Sequence, residues 1–496
     1  MRHSFYLNFA ESLDRRANAR IHELTAELLK SPPRGLLDLV PGYRNLLVEF
    51  DSSLTSKPKL QKRLEAALEA VSLILDSRHL EIPLRYDGED LAAVASTTGL
   101  TIQQVIGLHQ QQDYWVYALG FTPGFPFMGE LDPRLAVPRR QIPRRHVPAH
   151  SVAIAGVQTG IYPLSSPGGW HLIGTALQAV YDPLRAEPFL LRAGDTVRFV
   201  ASEGKTPPEP RALELLPSEP RFPCLQVEEE GLLDLVMDTG RMLGGRYGLA
   251  QSGPLDPLCA SLANRLLGNP PAAPVVELTL KGPVLTALEP LVLAFAGYGM
   301  VPVVSGEEVR PFSSFLIRPQ ETLRFRATAH GVRGYLAVAG GFESSGFMGS
   351  CASDLRGKIG RSLRRGDILG RLSRKEVRAG FATDPPALSN RVRILPGPQA
   401  SKEALEALTL AEFTLESGDR MGLRLSGADV PGGELLSEGA PLGAVQLPPG
   451  GKPIILLNDR GRLGGYHKPA VVDPRDIWRL AQVRAGQTIQ FYLSER

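Results

Sequence analysis

The 496-residue chain is poor in cysteine and carries almost no net charge. Its three cysteines, Cys224, Cys259 and Cys351, form no CxxC pair, which argues against a disulfide framework and favours buried free thiols. The formal net charge is +3, from 55 basic and 52 acidic residues. Composition therefore gives no reason to expect nucleic acid or an anionic membrane as a partner.

Targeting segments and the common catalytic motifs are also missing. The N-terminus shows no apolar core of the secretory type, and Gly297 and Gly299 interrupt the longest apolar stretch. We therefore expect a cytoplasmic protein. There is no HExxH zinc motif, GxSxG nucleophile elbow or complete Walker A loop, and the nine histidines lack metal-ligand spacing. The sequence predicts no metal site.

Glycine and proline, in contrast, are abundant, with 51 Gly and 42 Pro. At 43% hydrophobic residues the chain is apolar enough to fold, so this excess predicts short strands joined by tight turns. The length suggests about three domains at roughly 150 residues each. From Tyr114 onward, short apolar runs separated by Gly or Pro are typical of sandwiches and barrels.

The first part of the chain has a different pattern. Short apolar strands near residues 5–9 and 46–50 alternate with helical spacing over residues 11–30 and 57–75. This order predicts a small α+β domain.

One short pattern occurs three times. It reads Arg-Ala-Gly-Asp-Thr-Val-Arg-Phe at residues 192–199, Arg-Pro-Gln-Glu-Thr-Leu-Arg-Phe at 318–325 and Arg-Ala-Gly-Gln-Thr-Ile-Gln-Phe at 484–491. Each copy predicts a turn followed by a strand with one apolar face. A weaker echo relates residues 159–162 to residues 463–466. The copies favour related β units that each close with a similar strand; a chance match of turn plus strand is the alternative.

Longer segments resemble a known pair of proteins joined head to tail. Three segments of the first half resemble the B subunit of 5-oxoprolinase, also called KipI or allophanate hydrolase subunit 1: residues 120–129 (Gly-Phe-Thr-Pro-Gly-Phe-Pro-Phe-Met-Gly), 147–163 and 167–170 (Pro-Gly-Gly-Trp). Six segments of the second half resemble the C subunit of 5-oxoprolinase, also called KipA or the biotin-dependent carboxyltransferase-type family: residues 252–257 (Ser-Gly-Pro-Leu-Asp-Pro), 262–269, 277–283, 335–341, 395–399 and 419–427.

The resemblance implies a mainly β protein with a small α+β N-terminal domain and duplicated cyclophilin-like β-barrels. We expect five regions along the chain: an α+β domain at residues 1–80, a barrel like that of the B subunit at 81–203, a proline-rich linker at 204–223, a first β subdomain like that of the C subunit at 224–380 and a second, barrel-like one at 388–496.

The implied function is that of fused B and C components of an ATP-dependent 5-oxoprolinase-like system. Such a system converts 5-oxoproline, a planar cyclic amide, to glutamate together with a separate A subunit. ATP would act through that complex, at a site the sequence does not place. One alternative is a urea carboxylase or allophanate-type carboxyltransferase component that uses biotin carried by a partner. Another is a KipI/KipA-like regulator of a sensor histidine kinase. Barrel edges also allow a homo-oligomer.

Five residues of the second half are candidates for catalysis. Asp459 and Lys468 as a pair, with Tyr466, would serve proton transfer and oxyanion stabilisation. Asp256 or Glu277 would act as a general base if burial raised its pKa. Helix capping by Asp256 and a salt bridge of Glu277 are the alternatives.

The block around these residues departs from the family pattern. Gly461, Arg462 and Leu463 replace Gln-Thr-Thr, and His467 replaces Pro. Arg462 could supply an anion contact instead. The absence of these amide and hydroxyl side chains from the second half favours a substrate site in the first half.

Nine residues of the first half are candidate substrate contacts. Gln158, Thr159 and Tyr162 would hydrogen-bond an amide, with strand capping as the alternative. Arg144 would clamp a carboxylate or phosphate, unless its arginine cluster is a solvated face. The others lie in an aromatic turn, which could equally be a packed barrel corner, and in a lid-like loop, whose tryptophan could stack on a planar substrate or simply be buried: Phe121, Gly124, Phe125, Gly169 and Trp170.

Overall fold

The N-terminal unit is a three-stranded antiparallel sheet covered by two helices. The computed structural model describes residues 1–70 and 77–494. The elements of this unit are β1 (Arg2–Asn8), α1 (Arg15–Lys30), β2 (Leu36–Pro41), β3 (Asn45–Asp51) and α2 (Lys57–Ala70). Strand β3 is central, and Ile21, Leu24 and Leu60 of the helices are buried against the sheet. The expected continuation of α2 to residue 75 lies outside the described residues.

The first barrel is closed by seven strands in the order β11-β4-β12-β5-β6-β9-β8. Its region comprises β4 (His79–Arg85), α3 (Leu91–Thr98), α4 (Ile102–Gln110), β5 (Asp113–Leu119), β6 (Pro126–Gly129), β7 (Arg144–Val147), β8 (Ser151–Ala155), β9 (Gln158–Ile161), β10 (Ser166–Gly168), β11 (His171–Ala176) and β12 (Thr196–Ala201). Strands β7 and β10 form a separate pair. The expected domain boundary at residue 80 falls inside β4.

Helices α3 and α4 pack into the core of this barrel. Among the described residues, no single helix is long and apolar enough to cross a membrane, although α3 and α4, bent by 96°, pass the length and composition test as a pair.

The middle unit is a sandwich of a six-stranded and a five-stranded sheet. Its elements are β13 (Pro223–Glu229), β14 (Asp234–Met237), α5 (Pro257–Leu266), β15 (Val275–Thr279), β16 (Val284–Ala287), β17 (Leu291–Gly297), β18 (Met300–Val304), β19 (Glu307–Glu308), β20 (Ser313–Ile317), β21 (Thr322–Ala327), β22 (Arg333–Val338) and β23 (Ile368–Gly370). Leu225 and Leu285 from one sheet meet Leu293 and Leu336 from the other in a shared core.

The C-terminal unit is a second barrel. Its elements are β24 (Arg391–Pro396), α6 (Lys402–Leu410), β25 (Glu412–Gly418), β26 (Gly422–Gly427), β27 (Glu434–Gly439), β28 (Ala444–Leu447), β29 (Ile454–Leu456), β30 (Leu463–Val472), α7 (Ile477–Leu480) and β31 (Thr488–Leu493). The pairing of β24 with β30 closes a ring of seven strands, and β27 adds to β30 outside the ring.

The two barrels share one strand topology. In each, the last strand pairs parallel with the first and antiparallel with the second: β12 with β4 and β5, and β31 with β24 and β25. The remaining strands also correspond: each strand of the first ring has a counterpart at the same place in the neighbour order of the second ring. The expected fold class, mainly β with duplicated barrels, is confirmed.

The repeated pattern is a local turn in all three copies. The backbone N–H of its arginine donates to the side chain three residues later, and that side chain is an aspartate, a glutamate or a glutamine. The distances are 2.7 Å for Arg192 to Asp195, 2.7 Å for Arg318 to Glu321 and 2.9 Å for Arg484 to Gln487. This side-chain acceptor explains why the pattern recurs.

Only the first and last copies close a barrel. The strand of the middle copy, β21, pairs antiparallel with both β16 and β18 inside the sandwich. The weaker similarity between residues 159–162 and 463–466 does not join equivalent strands. Residues 159–162 lie in and after β9, whereas residues 463–466 lie in β30, the counterpart of β11. Similar local sequences therefore do not determine which strands a given strand pairs with.

The units meet through close contacts. Strand β27 packs on β3, and a Cβ on Gly439 would lie 2.4 Å from the side chain of Leu47. The side chain of Leu463 packs on Gly120, where a Cβ would lie 2.6 Å from it. Tyr181 of the first barrel region donates to the carbonyl of Gly357 at 2.6 Å. The second barrel therefore contacts both the N-terminal unit and the first barrel.

Candidate functional site

A cleft of about 470 Å³ opens where the N-terminal unit, the sandwich and the second barrel meet. Its walls include Arg2 and Glu49 from the N-terminal sheet, Ser252 from the loop before α5, Asn264 from α5 and Pro396 from β24. The volume lies within the range of about 300–1,000 Å³ usual for small-molecule sites. Three of the family-like segments, residues 252–257, 262–269 and 395–399, contribute to it. We take this cleft as the candidate site.

Two polar groups in the loop before α5, which forms part of the cleft wall, are left without partners among the described residues. Within the described residues, Oγ of Ser252 and Oε1 of Gln251 are buried and accept or donate no hydrogen bond. Ser252 also has a left-handed backbone, with φ at 55°. Strain and unsatisfied polar groups concentrate at ligand sites, because a ligand can satisfy them.

Asn458 holds this loop in place from the second barrel. Its Nδ2 donates to the carbonyls of Ser252 at 3.1 Å and Pro254 at 2.9 Å, and the backbone carbonyl of Asn458 accepts from the N–H of Ser252 at 3.3 Å. The position of Ser252 is thus set by a residue outside the sandwich.

Directly behind the loop lies a buried ion network centred on Arg420. Its Nε donates to Asp459 at 2.8 Å, its Nη1 to Glu277, and its Nη2 to the carbonyl of Gly253 at 2.7 Å. Glu277 also accepts from the hydroxyl of Tyr335 at 2.7 Å. The network brings together two predicted catalytic carboxylates, Glu277 and Asp459, but engages both with cations.

The expectation that burial would make Glu277 a base is wrong. Burial alone would raise the pKa of this carboxyl, but the Arg420 and Arg333 guanidinium groups hold it below its ordinary value. Burial also lowers the pKa of Arg420, yet Asp459 and Glu277 raise it further than burial lowers it. Glu277 is a fixed anion, as the salt-bridge alternative supposed.

Asp256 lies at the start of α5. Burial raises its pKa, but both oxygens are occupied: one accepts from the N–H of Cys259 at 2.9 Å and the other from Gln482 at 2.8 Å. This arrangement corresponds to the helix-capping alternative.

The expected pair of Asp459 with Lys468 does not form. Lys468 is buried and bonds Glu438 at 3.0 Å, and burial lowers its pKa although Glu438 opposes this. Tyr466 stands opposite Glu434 in the β27–β30 pairing, and only its carbonyl contacts Lys468, at 3.1 Å. The residues predicted to transfer a proton are therefore separated: Asp459 pairs with Arg420, and Lys468 pairs with Glu438.

Arg462 makes its anion contacts within the chain. Its Nη2 donates to Asp38 at 2.8 Å and to Glu49 at 2.7 Å, and Arg460 donates to Glu49 at 2.7 Å. These fully buried ion pairs join the second barrel to the N-terminal sheet.

The aromatic residues of the first half pack against one another. The ring centroid of Phe125 lies 5.5 Å from that of Phe121, 5.1 Å from Tyr162 and 5.6 Å from Trp170. Burial raises the pKa of Tyr162 to about 12, although a backbone hydrogen bond from Trp170 opposes this. Gly124 has φ at 74° and donates to the carbonyl of Tyr247 at 2.9 Å. This geometry is that of the packed barrel corner.

The polar candidates of the first half do not converge. Thr159 points into the barrel, where its Oγ1 lies 3.0 Å from Nε2 of His109, whereas Gln158 points outward and donates to the hydroxyl of Tyr43. Arg144 bonds Asp90 at 2.7 Å and Glu89 at 2.5 Å. Gly169 accepts from the N–H of Arg140 at 2.9 Å. The polar residues predicted for a first-half site therefore do not line a common pocket, whereas the cleft has polar groups in its wall.

Comparison with known proteins matches both halves of the chain. The family model described as carboxyltransferase domain, subdomain C and D, matches residues 2–191, and that of subdomain A and B matches residues 247–493. The chain is 38% identical over 210 residues to the 5-oxoprolinase B subunit of Bacillus subtilis, covering 39% of the chain and 87% of that protein. It is 34% identical over 267 residues to the 5-oxoprolinase C subunit of Haemophilus influenzae, covering 52% of the chain and 86% of that protein.

The chain belongs to the family of the B and C subunits of 5-oxoprolinase, fused in one polypeptide. A solved structure of the protein TTHA0988 has a TM-score of 0.96 and 56% identity, covering 99% of this chain and 100% of that one. Urea amidolyase of Lachancea kluyveri is 29% identical over 337 residues, covering 60% of this chain but 18% of that much longer protein. The resemblance stated from the motifs is therefore confirmed.

Sequence reasoning missed the residues that build the candidate site, including Ser252, Gln251 and Asn458. Arg420 and Tyr335 lie within family-like segments, but their residue types alone do not mark them as site residues. Arg2 lies outside all the motifs, and only its position in the folded sheet brings it to the cleft.

Proposed function

We propose that this protein provides the B and C components of an ATP-dependent 5-oxoprolinase-like system, which opens a cyclic amide to an amino acid together with a separate A subunit. The observation that carries the proposal is the cleft, because its walls come from both halves of the chain, the one like the B subunit and the one like the C subunit. ATP would be used by the assembled complex, in the cytoplasm.

The unpartnered groups in the cleft suit an amide. The Ser252 hydroxyl can donate to an amide carbonyl, and Oε1 of Gln251 can accept from an amide N–H. Hydrogen bonds to both ends of the amide would orient it and polarise its carbonyl. Asn458 and the Arg420 network keep the loop rigid, which places the two groups before the ligand arrives.

The test is a reconstitution of the complete system. The full chain, an A subunit with verified activity towards its own B and C partners, ATP and 5-oxoproline should together yield glutamate. Omission of any one component should abolish product formation. No glutamate in the complete mixture would refute the proposal.

A Ser252→Ala variant refines this test. Loss of a hydrogen bond to the reacting amide should lower kcat/KM by roughly tenfold. Ser417→Ala, at an exposed position of β25, is the matched control and should leave the rate unchanged. Equal rates in both variants would remove Ser252 from the site.

A second candidate is a carboxyltransferase component acting on urea. The match to urea amidolyase over 337 residues favours it. It requires a biotinylated partner, so the chain mixed with a biotin carboxylase, its biotinylated carrier protein, ATP, bicarbonate and urea should form carboxyurea. Regulation of a histidine kinase stays an expectation from the motif resemblance alone; it would require the chain to bind the kinase and inhibit its autophosphorylation.

A further inference from the structure

A buried cluster of charges beside the cleft contains more cations than anions. Arg460 and Arg462 share Glu49, and Arg462 also bonds Asp38. Arg2 is the third guanidinium in this group and lies within the electrostatic reach of Glu49, Asp38 and Arg462. The carboxylate of Asp51 also lies within this reach, but it pairs with the Met1 amine, so four cations face three carboxylates.

Arg2 has unused donors. Its Nε is buried without a hydrogen-bond partner among the described residues, and its Nη2 has only the thioether sulfur of Met242, at 3.8 Å. A thioether is a weak acceptor. The nearby carboxylate of Asp51 already accepts from the Met1 amine at 2.6 Å and from Ser53. No anion in the described part of the chain pairs directly with Arg2.

A surplus cation that is largely shielded from water is costly. Burial lowers the pKa of Arg2, and the charge of Arg462 adds to this effect, while Glu49 opposes it. Arginine nevertheless stays protonated in proteins, so the charge remains. An anion entering the cleft would compensate it, and a planar guanidinium binds a carboxylate with two parallel hydrogen bonds.

We propose that Arg2 binds the carboxylate of the ligand in this cleft, while Ser252 and Gln251 bind its amide. The site would then select a cyclic amide that carries a carboxylate over the same ring without one. The ligand class rests on the proposed function, whereas the anion site rests on the charge surplus.

The test is equilibrium binding to the full chain without any partner, measured by calorimetry. L-5-Oxoproline should bind, and 2-pyrrolidinone, the same ring without the carboxylate, should bind about tenfold more weakly or worse. Arg2→Gln should weaken 5-oxoproline binding about tenfold and leave 2-pyrrolidinone binding unchanged. Arg2→Lys should give an intermediate affinity, and Arg34→Gln, at a position away from the cleft walls, should have no effect.

Thermal denaturation separates this role from a structural one. Because Arg2 makes no salt bridge with any described residue and its charge is in excess of the nearby carboxylates, Arg2→Gln should melt at the same or a higher temperature. A lower melting temperature would make Arg2 a structural cation and overturn the proposal. Equal affinities for the two ring compounds, or an unchanged 5-oxoproline affinity in Arg2→Gln, would also overturn it.

Binding of inorganic phosphate tests whether the anion that Arg2 binds is a carboxylate or a phosphate group. If phosphate binds in an Arg2-dependent manner and 5-oxoproline does not, the site serves a phosphate group and the carboxylate assignment is wrong. Arg2-dependent binding of 5-oxoproline without glutamate formation in the reconstituted system would instead refute the proposed function and leave this inference standing.

Discussion

At the scale of single residues, charge environment decides what the carboxylates can do. Glu277 and Asp459 stand in family-like segments and were expected to work as acid or base, but both bond the Arg420 guanidinium. Arg420 is separated from Glu277 by more than a hundred residues of chain, so sequence spacing cannot show that they meet. The residue types were predictable, and their pairing was not.

Removing Arg420 should destabilise the protein strongly. Arg420→Gln leaves two buried carboxylates without their cation, so unfolding free energy should fall by about 3–5 kcal/mol. Arg424→Gln, at an exposed position of β26, should change it by less than about 0.5 kcal/mol. Denaturant titration of both variants measures the difference; similar values would show that the network contributes little.

At the scale of elements, the repeated turn was predictable because it is local. Its stabilising hydrogen bond joins a backbone N–H to a side chain three residues away, which the sequence displays directly. The partner strands are set by packing across the whole unit. That is why β21 shares the turn but belongs to a sandwich, and why residues 463–466 were matched to the wrong strand.

The turns of the first and last copies should contribute differently to stability. Asp195 accepts in its turn and also bonds the partly exposed Arg78 across the strands that close the first barrel. Among the described residues, the exposed side chain of Gln487 accepts only from the N–H of Arg484, within its own turn. Asp195→Ala should therefore cost about 1–2 kcal/mol and Gln487→Ala about 0.5–1 kcal/mol.

Asp195→Asn is the matched variant for this comparison. It keeps the turn acceptor but loses the charge, so it should fall between wild type and Asp195→Ala. Chemical denaturation followed by circular dichroism measures all three. A larger loss in Gln487→Ala than in Asp195→Ala would contradict the argument.

At the scale of the whole molecule, family and fold class were predictable and the site was not. The ordered motifs identify both former subunits, and their turns and strands indicate the barrels. The cleft combines residues near positions 2, 49, 252 and 458, which only the docking of three units brings together. Family-like motifs therefore lie in the walls from the sandwich and the second barrel, while the wall from the N-terminal sheet carries no motif.

The two halves should remain associated after the chain is cut. The buried pairs of Arg460 and Arg462 with Glu49 and Asp38 hold them independently of the linker. Cleavage at a protease site inserted in the exposed segment 203–206 should leave both fragments in one peak on size-exclusion chromatography. Arg462→Leu should make the cleaved fragments separate. Two peaks from the otherwise unaltered cleaved protein would show that the linker alone holds the halves together.

Under the proposed function, the shared walls of the cleft have a consequence for activity at low protein concentration. When the B and C subunits are separate chains, a site between them exists only in the fraction of molecules that have met. A short covalent connection gives each half an effective local concentration of its partner of about millimolar. In this protein the cleft would stay assembled at any dilution, so only recruitment of an A subunit would make activity depend on concentration.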